Sequence, residues 1–308
     1  MTNAPNGFKS DNDQTQYVAQ IFNEMADEYD NLKDPWYSYT FSEIEGVLRR
    51  YFRTDSREVA KPVAIDVGCG TGIQSMVLAE LGYRVEGIDI ADDLIAIAKD
   101  KLRSAGFADA RFQHADARSL PFDSGVADVV NCCGPTLSFV PEWRTALKEI
   151  SRCLKPGGKL LLEVEGKWTL DMLWEVFNSI FNNPLGYDKP LRTALRQFLP
   201  PWNVGHLIDY SFALEEGKSV TMPLKLFTAR ELSRELEALD MFVKKRWGLH
   251  FITNLIPSTV LHRADAGPRV RKAFRCLATI ERAVYSAWPF NALACSLLVI
   301  AEKKAEER

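Results

Sequence analysis

Residues 64–72, Ala-Ile-Asp-Val-Gly-Cys-Gly-Thr-Gly, carry an apolar strand into a turn with glycine at three alternate positions. Few backbone paths use such a turn. Gly68, Gly70 and Gly72 tolerate positive φ and let the main chain come close to a ligand, because no Cβ stands in the way. A helix is expected to follow, its free N–H groups facing the bound group at the carboxyl end of the strand. Asp66 lies on the strand itself, two residues before the first glycine. The segment points to a nucleotide-type cofactor, and the residues that follow at fixed distances decide which one.

A second strand, 85–89, ends in Asp89, which is placed to accept both ribose hydroxyls; the alternative is that it only caps the next helix. A third, 112–117, delivers Asp116 where an adenine amino group could donate to it. A fourth buried strand covers 127–133, and the turn Leu-Lys-Pro-Gly-Gly-Lys at 154–159 feeds a fifth over 160–164. Acids at successive strand ends are hard to explain as surface decoration. A nicotinamide or flavin fingerprint would put its third glycine at position 73, where this chain has Ile73. That pattern also gives Asp66 no task.

In order and spacing these pieces resemble the class I S-adenosylmethionine-dependent methyltransferases, in particular their ubiquinone/menaquinone-biosynthesis-like small-molecule branch. The matching pieces are Asp66-Val-Gly-Cys-Gly-Thr-Gly72, Gly87-Ile-Asp89-Ile, Asp116-Ala-Arg-Ser-Leu-Pro-Phe122, Asp128-Val-Val and Arg152-Cys-Leu-Lys-Pro-Gly-Gly158. The resemblance implies S-adenosyl-L-methionine as cofactor. It places Gly68, Cys69, Gly70 and Gly72 along the methionine and ribose, Asp89 on the ribose, Ile90 on one adenine face, and Asp116 with Ala117 at the adenine edge. Asp66 and the backbone around Asn131 and Cys132 would meet the methionine amino group. The amphipathic stretch 21–30 resembles the opening helix of the same branch, whose tyrosine, here Tyr29, closes over the methionine end; a core role is the alternative for that ring.

The fold expected is α/β: a doubly wound, seven-stranded, mostly parallel sheet with a substrate-binding lid inserted after the fifth strand. Strands near 62–67, 84–88, 110–114, 127–132 and 159–165 alternate with helices near 72–81, 91–105 and 142–154, after opening helices at 21–30 and 41–53. Residues 1–16 are polar and are expected to be a disordered tail, and 17–165 to form the cofactor-binding core. The stretch 166–227 is too long for an ordinary loop and reads as the lid. The core then resumes over 228–308, with a helix at 228–239 opening on a Thr228/Glu231 capping box, a strand at 241–248, a helix at 269–287 and a closing strand at 295–302.

At 308 residues, 46% hydrophobic and 26% charged, the chain has enough apolar residues for a substantial core. A net charge of −3 gives no broad basic field, so nucleic acid is not an expected partner. The longest apolar stretch, near 294–301, is too short to span a membrane. Six cysteines without Cys-x-x-Cys spacing suggest reduced thiols in a cytoplasmic protein. Cys132 and Cys133, adjacent in a strand, point to opposite faces and make a poor metal chelate, and no metal is expected.

Substrate identity should be encoded in the insertion. Leu170, Leu173, Trp174 and Phe177 recur at helical spacing and are expected to form a packed face. Trp168 and the turn at 200–206, with Trp202 and His206, followed by Tyr210, are candidates for acceptor binding; His206, Tyr210 and His250 are candidate catalytic groups. His250 has the alternative of satisfying backbone groups. Methyl transfer is a displacement that needs alignment and a deprotonated acceptor rather than a protein nucleophile. After the fourth strand stands Asn131-Cys-Cys-Gly-Pro-Thr136, without the Asn/Asp-Pro-Pro-Tyr of amino-methylating nucleic-acid enzymes. A small organic acceptor with an aromatic, lipidic or quinone-like body is expected. A protein or RNA methyltransferase, or an inactive cofactor-binding scaffold, is the alternative, and the oligomeric state is left open.

Overall fold

The computed structural model describes residues 8, 10–30, 34–54, 60–187, 189–196, 198, 207–213, 219–262 and 266–305, with the side chains of 28, 207–213 and 219–221 excepted. In chain order the elements are α1 (Asp11–Glu24), α2 (Ala26–Tyr29), α3 (Pro35–Tyr51), β1 (Val63–Val67), α4 (Ile73–Glu80), β2 (Arg84–Asp89), α5 (Asp92–Ser104), β3 (Arg111–His114) and β4 (Ala127–Cys132). A 3-10 turn (Thr136–Phe139) precedes α6 (Trp143–Cys153) and β5 (Leu154–Glu165). Then come α7 (Asp171–Ile180), α8 (Leu191–Arg196), β6 (Leu207–Ala213), β7 (Ser219–Lys225), α9 (Ala229–Glu237), β8 (Met241–Leu249), α10 (Ser258–Leu261), α11 (Pro268–Val284) and β9 (Ser296–Lys303).

Seven strands form one sheet in the order β3-β2-β1-β4-β5-β9-β8. The first five run parallel, and β9 enters antiparallel between β5 and β8. Both faces are covered, so the central strands are apolar almost throughout. On one face Trp143, Ala146, Leu147 and Ile150 of α6 pack with Leu232 and Leu236 of α9 against Leu160, Leu162 and Val164. On the other, Ile44 and Leu48 of α3, Leu78 of α4 and Phe274 of α11 pack against Ala64, Val129 and Leu161. From β1 the chain winds outward one way to β2 and β3 and, after returning, the other way to β4 and β5. The crevice between the carboxyl ends of β1 and β4 is where such sheets bind ligands.

Local chemistry fixes the helix ends. Asp34 caps α3, its Oδ1 accepting from Tyr37 N at 2.8 Å, with Pro35 in the first turn. That pair starts α3 well before residue 41, the start expected from sequence. Helix α1 begins at Asp11, inside the stretch 1–16 expected to be disordered, because Ser10 caps it and a tertiary contact described below holds it. Thr228 caps α9 as expected, accepting from Glu231 N at 3.1 Å. The reciprocal half of the capping box is missing: the Glu231 carboxylate instead takes Lys225 Nζ at 2.9 and 3.1 Å in a fully buried pair.

The insertion leaves and rejoins the core at one point. Lys167 N donates to Phe227 O, and Phe227 N to Glu165 O, both at 2.8 Å. Between them lie α7, α8 and the antiparallel ribbon β6–β7, whose Met222 and Leu224 pack on Val18, Ile21 and Phe139. The face of α7 differs from the one expected. Met172, Glu175 and Asn178 are buried, while Leu173 and Phe177 are 56% and 41% exposed. The rotation follows from Asp171, which takes Asn254 Nδ2 at 2.9 Å, Ser258 N at 3.2 Å and the Tyr187 hydroxyl, and from Trp174 Nε1, which donates to Asn254 O at 2.8 Å.

Candidate cofactor site

A cavity opens at the carboxyl ends of β1 and β2. It is lined by Gly68, Gly70, Asp89, Ile90, Asp116 and Ala117, with Tyr29 above them. These seven were expected together from the sequence. Asp66, Cys69, Gly72, Asn131 and Cys132 lie outside the lining.

The three glycines of the turn have distinct constraints. All have positive φ. A Cβ on Gly68 would lie 2.2 Å from Thr136 Oγ1, and one on Gly72 3.0–3.3 Å from Leu102 and Ala98, so both are demanded by the protein's own packing. A Cβ on Gly70 would meet only Tyr29, at 3.8 Å. Gly70 thus keeps open a space that belongs to the cavity. Its N–H donates to Asp89 Oδ2 at 2.8 Å, and Ala91 N donates to Asp89 Oδ1 at 3.0 Å. Burial raises the Asp89 pKa, and these N–H groups pull it back.

Beneath the turn, Asp66 accepts from Asn131 Nδ2 at 2.7 Å and from Ser75 Oγ. Burial pushes its carboxyl up to about 6 against those bonds. Among the described residues Asn131 Oδ1 is buried without a hydrogen-bond partner. Cys69 and Cys132 are core side chains, and burial pushes the Cys132 thiol up to about 12. Among the described residues no group of three or more His, Cys, Asp or Glu side chains is placed to hold a metal.

Helices α1 and α2 roof the cavity with Val18, Phe22 and Tyr29. Phe22, Phe139 and Arg118 were not singled out in the sequence, since nothing local marks them. Arg118 straddles the acid expected at the adenine edge: its Nε and Nη2 reach both Asp116 oxygens at 2.7–3.1 Å, and Nη2 also donates to Asn12 and Thr15 of α1 at 3.1 Å. Burial raises the Asp116 pKa, but Arg118 outweighs it and holds the carboxyl below its usual range. At the other end of the roof, Asp30 accepts from Thr71 of the glycine turn and pairs with Lys101 at 2.6 Å.

The candidate acceptor residues divide. Trp202 and His206 lie outside the described residues, and of Tyr210 only the backbone is described, paired with Met222 in the β6–β7 ribbon. Trp168 stands just past β5 with Lys167 Nζ 5.6 Å from its ring. His250 is fully buried away from the cavity lining, stacked on Trp36 at 3.7 Å and bonded to Thr40 Oγ1 at 2.7 Å and Thr253 Oγ1 at 3.1 Å. Burial, with His262 nearby, holds its pKa well below the usual range. Its φ of 61° and its N–H bond to Glu281 Oε1 at 2.9 Å match the backbone-satisfying alternative.

The turn, the crevice and the carboxylate at the second strand end fit S-adenosylmethionine: Gly70 leaves cavity space open, and Asp89 lines that cavity beside it. Residues 65–162 match the family model described as "Methyltransferase domain". A demethylmenaquinone methyltransferase of Lactococcus lactis is 29% identical over 193 residues, 59% of this chain and 71% of that one. Another, from Anoxybacillus flavithermus, is 32% identical over 148 residues, 47% of this chain and 60% of its own length. Among solved structures, the [4+2]-cyclase SpnF superposes with a TM-score of 0.58 at 19% identity, covering 95% of this chain and 97% of that one. A methyltransferase of Methanosarcina mazei described as SAM-dependent does so with 0.50 at 22%, covering 80% and 94%. Those likenesses show the fold, and the sequence matches narrow it: residues 65–162 form a methyltransferase domain, and together with the seven-stranded sheet they support a class I S-adenosylmethionine-dependent methyltransferase.

Proposed function

We propose that this methyltransferase acts on a small organic acceptor with an aromatic, lipidic or quinone-like body. The observation that carries the reading is the roof. Helices α1 and α2 lie across the cavity and are tied down at both ends, by Arg118 to α1 and by Asp30 to the glycine turn. A cavity covered in this way by Val18, Phe22 and Tyr29 suits a small molecule held beneath the helices better than a polymer laid across an open face. The names of the relatives, which act on demethylmenaquinone, support an apolar ring system.

S-adenosylmethionine would supply an electrophilic methyl on a sulfonium. In the proposed arrangement Asp89 holds the ribose, Ile90 covers an adenine face, Asp116 and Ala117 border the adenine edge, and Asp66 with the backbone near Asn131 and Cys132 faces the methionine ammonium. Tyr29 closes the methionine end. The insertion at 166–227 walls the acceptor chamber, with Trp168, Trp202, His206 and Tyr210 as its candidate contacts. What the protein contributes is alignment and exclusion of water, effects worth ~7–11 kcal/mol of a barrier when the reacting atoms are held in line. Among the described residues no helix is long and apolar enough to cross a membrane, and the reading places the reduced thiols in the cytoplasm.

The test is incubation of the protein with isotopically labelled S-adenosylmethionine and three separate fractions of a cell extract: small metabolites including quinols, RNA, and protein. Label in a metabolite that gains one methyl is the expected result. Label confined to RNA or protein would overturn the reading.

A further inference from the structure

We propose that the carboxylate of Glu165, at the carboxyl end of β5, faces the reacting centre and takes the proton that the methyl acceptor gives up. The inference rests on the methyltransferase reading and adds a base to it. Glu163 and Glu165 lie two apart on one strand and share a face of the sheet. Glu163 is fully engaged: Oε2 accepts from Gly134 N at 2.8 Å and Oε1 from Ser296 Oγ at 2.7 Å. Gly134 itself lines the cavity. Glu165 stands one pleat farther on, about 7 Å toward the strand ends where ligands bind in this fold.

Its backbone is fixed while its carboxylate is not. Ser138 Oγ, in the 3-10 turn whose Thr136 and Phe139 line the cavity, accepts from Glu165 N at 3.0 Å, and Glu165 O accepts from Phe227 N. Among the described residues the carboxylate has neither a hydrogen bond nor an ion pair. The titratable groups around it are Glu163 on β5, Asp171 on α7, Tyr37 on α3 and Cys295 ahead of β9, with Tyr29 of the roof beyond Tyr37. Cations are absent from that set. Burial, then Glu163 and Asp171, push the Glu165 carboxyl up to about 8, the range in which a base works at neutral pH. Glu165 stands beyond the cavity lining, and among the described residues its carboxylate has Glu163 and Asp171 beside it and no cation, a demand for positive charge that a sulfonium at the strand ends would meet.

In the step proposed, the acceptor atom gives an electron pair to the methyl carbon while the carbon–sulfur pair stays on the departing sulfur. The acceptor's proton passes to a Glu165 oxygen and from there to water. Net charge and atoms balance without any further reagent.

The experiment needs no identified acceptor. Calorimetry gives the affinities for S-adenosylmethionine, which is cationic at sulfur, and for S-adenosylhomocysteine, which is neutral there, between pH 6.5 and 9. A carboxylate facing the sulfur ionises in that window and favours the cation, so the preference for S-adenosylmethionine should rise about ten-fold, one pKa unit of linkage. Glu165→Gln should flatten the rise, and Glu165→Asp should restore most of it. Asp66, raised to about 6, overlaps the lower edge of the window but would face the methionine ammonium that both ligands carry, so its titration leaves their ratio unchanged. A rise that persists in a folded Glu165→Gln protein, or a flat preference in both the wild type and Glu165→Asp, would overturn the base. Binding of neither ligand would overturn the methyltransferase reading instead.

Discussion

Gly70 N–H donates to Asp89 Oδ2 at 2.8 Å and thereby ties the turn after β1 to the end of β2. One carboxylate therefore serves two ends: it shapes the glycine turn from below and presents its remaining lone pairs to the cavity. The same relation explains why burial does not expel it. Backbone donors at Gly70 and Ala91 replace the water it lost.

Substitution should separate the glycines. Gly68→Ala drives a methyl into Thr136 and should lower the melting temperature markedly, whereas Gly70→Ala should leave folding closer to wild type and weaken S-adenosylmethionine binding. Both face the strain of positive φ, so the comparison isolates the difference in neighbours. Asp89→Ala removes charge-assisted bonds of ~1.5–3 kcal/mol each and should cost at least ten-fold in affinity. Calorimetry together with thermal melts checks all three. Equal melting temperatures for the two glycine variants would contradict the assignment of roles.

Asp66 gives a pH signature. Its carboxyl, raised by burial to about 6 from an unfolded value near 3.8, favours the protonated form in the fold. The stability it contributes is complete below the unfolded value and lost as pH rises through about 6. The span is ~3 kcal/mol at most, an order-of-magnitude figure. Asp66→Asn lacks that loss. In melts of the ligand-free protein from pH 4 to 7.5, the variant should gain on the wild type as pH rises, and a constant gap would rule out the shift.

Seven of the residues that line the cavity were legible because their place is written in backbone requirements. A turn with Gly68, Gly70 and Gly72 and an acid at Asp89 leave a trace in sequence order, and the sheet places them together. The roof was less legible. Arg118 reaches Asn12 and Thr15 across more than a hundred residues, so the order of residues 11–16 depends on a contact that composition cannot register. The face of α7 was misread for a similar reason. Periodicity finds the apolar residues, but the hydrogen bonds of Asp171 and Trp174 to the Asn254 region choose which side turns inward. Glu165 lacked any local motif and emerged only from its place at the end of β5, with acids and no cation around it among the described residues.

The Arg118 bridge should control how the roof opens. Arg118→Ala removes the pairing with Asp116 and both contacts to α1 while leaving the cavity walls in place. Amide hydrogen exchange in residues 11–24 should accelerate, and S-adenosylmethionine should dissociate several-fold faster. Unchanged exchange there would mean that Val18 and Ile21 packing on Phe139 holds α1 without the bridge.

Lys225 and Glu231 test how the insertion rejoins the core. Both side chains are buried, Lys225 Nζ lying 4.7 Å from the Phe227 ring and bonding Leu226 O at 2.9 Å as well as Glu231. Burial lowers the Lys225 pKa, and Glu231 counters it. Lys225→Met would strand a buried carboxylate and should destabilise the protein by ~3–5 kcal/mol, whereas adding Glu231→Leu should recover most of that loss. The recovery is the informative part, because it separates the cost of an unpaired charge from the net worth of the pair. Denaturant titration of the two variants measures both. If the double variant is as unstable as the single one, the pair is needed to position Phe227, whose N–H and C=O close the insertion onto Glu165 and Lys167.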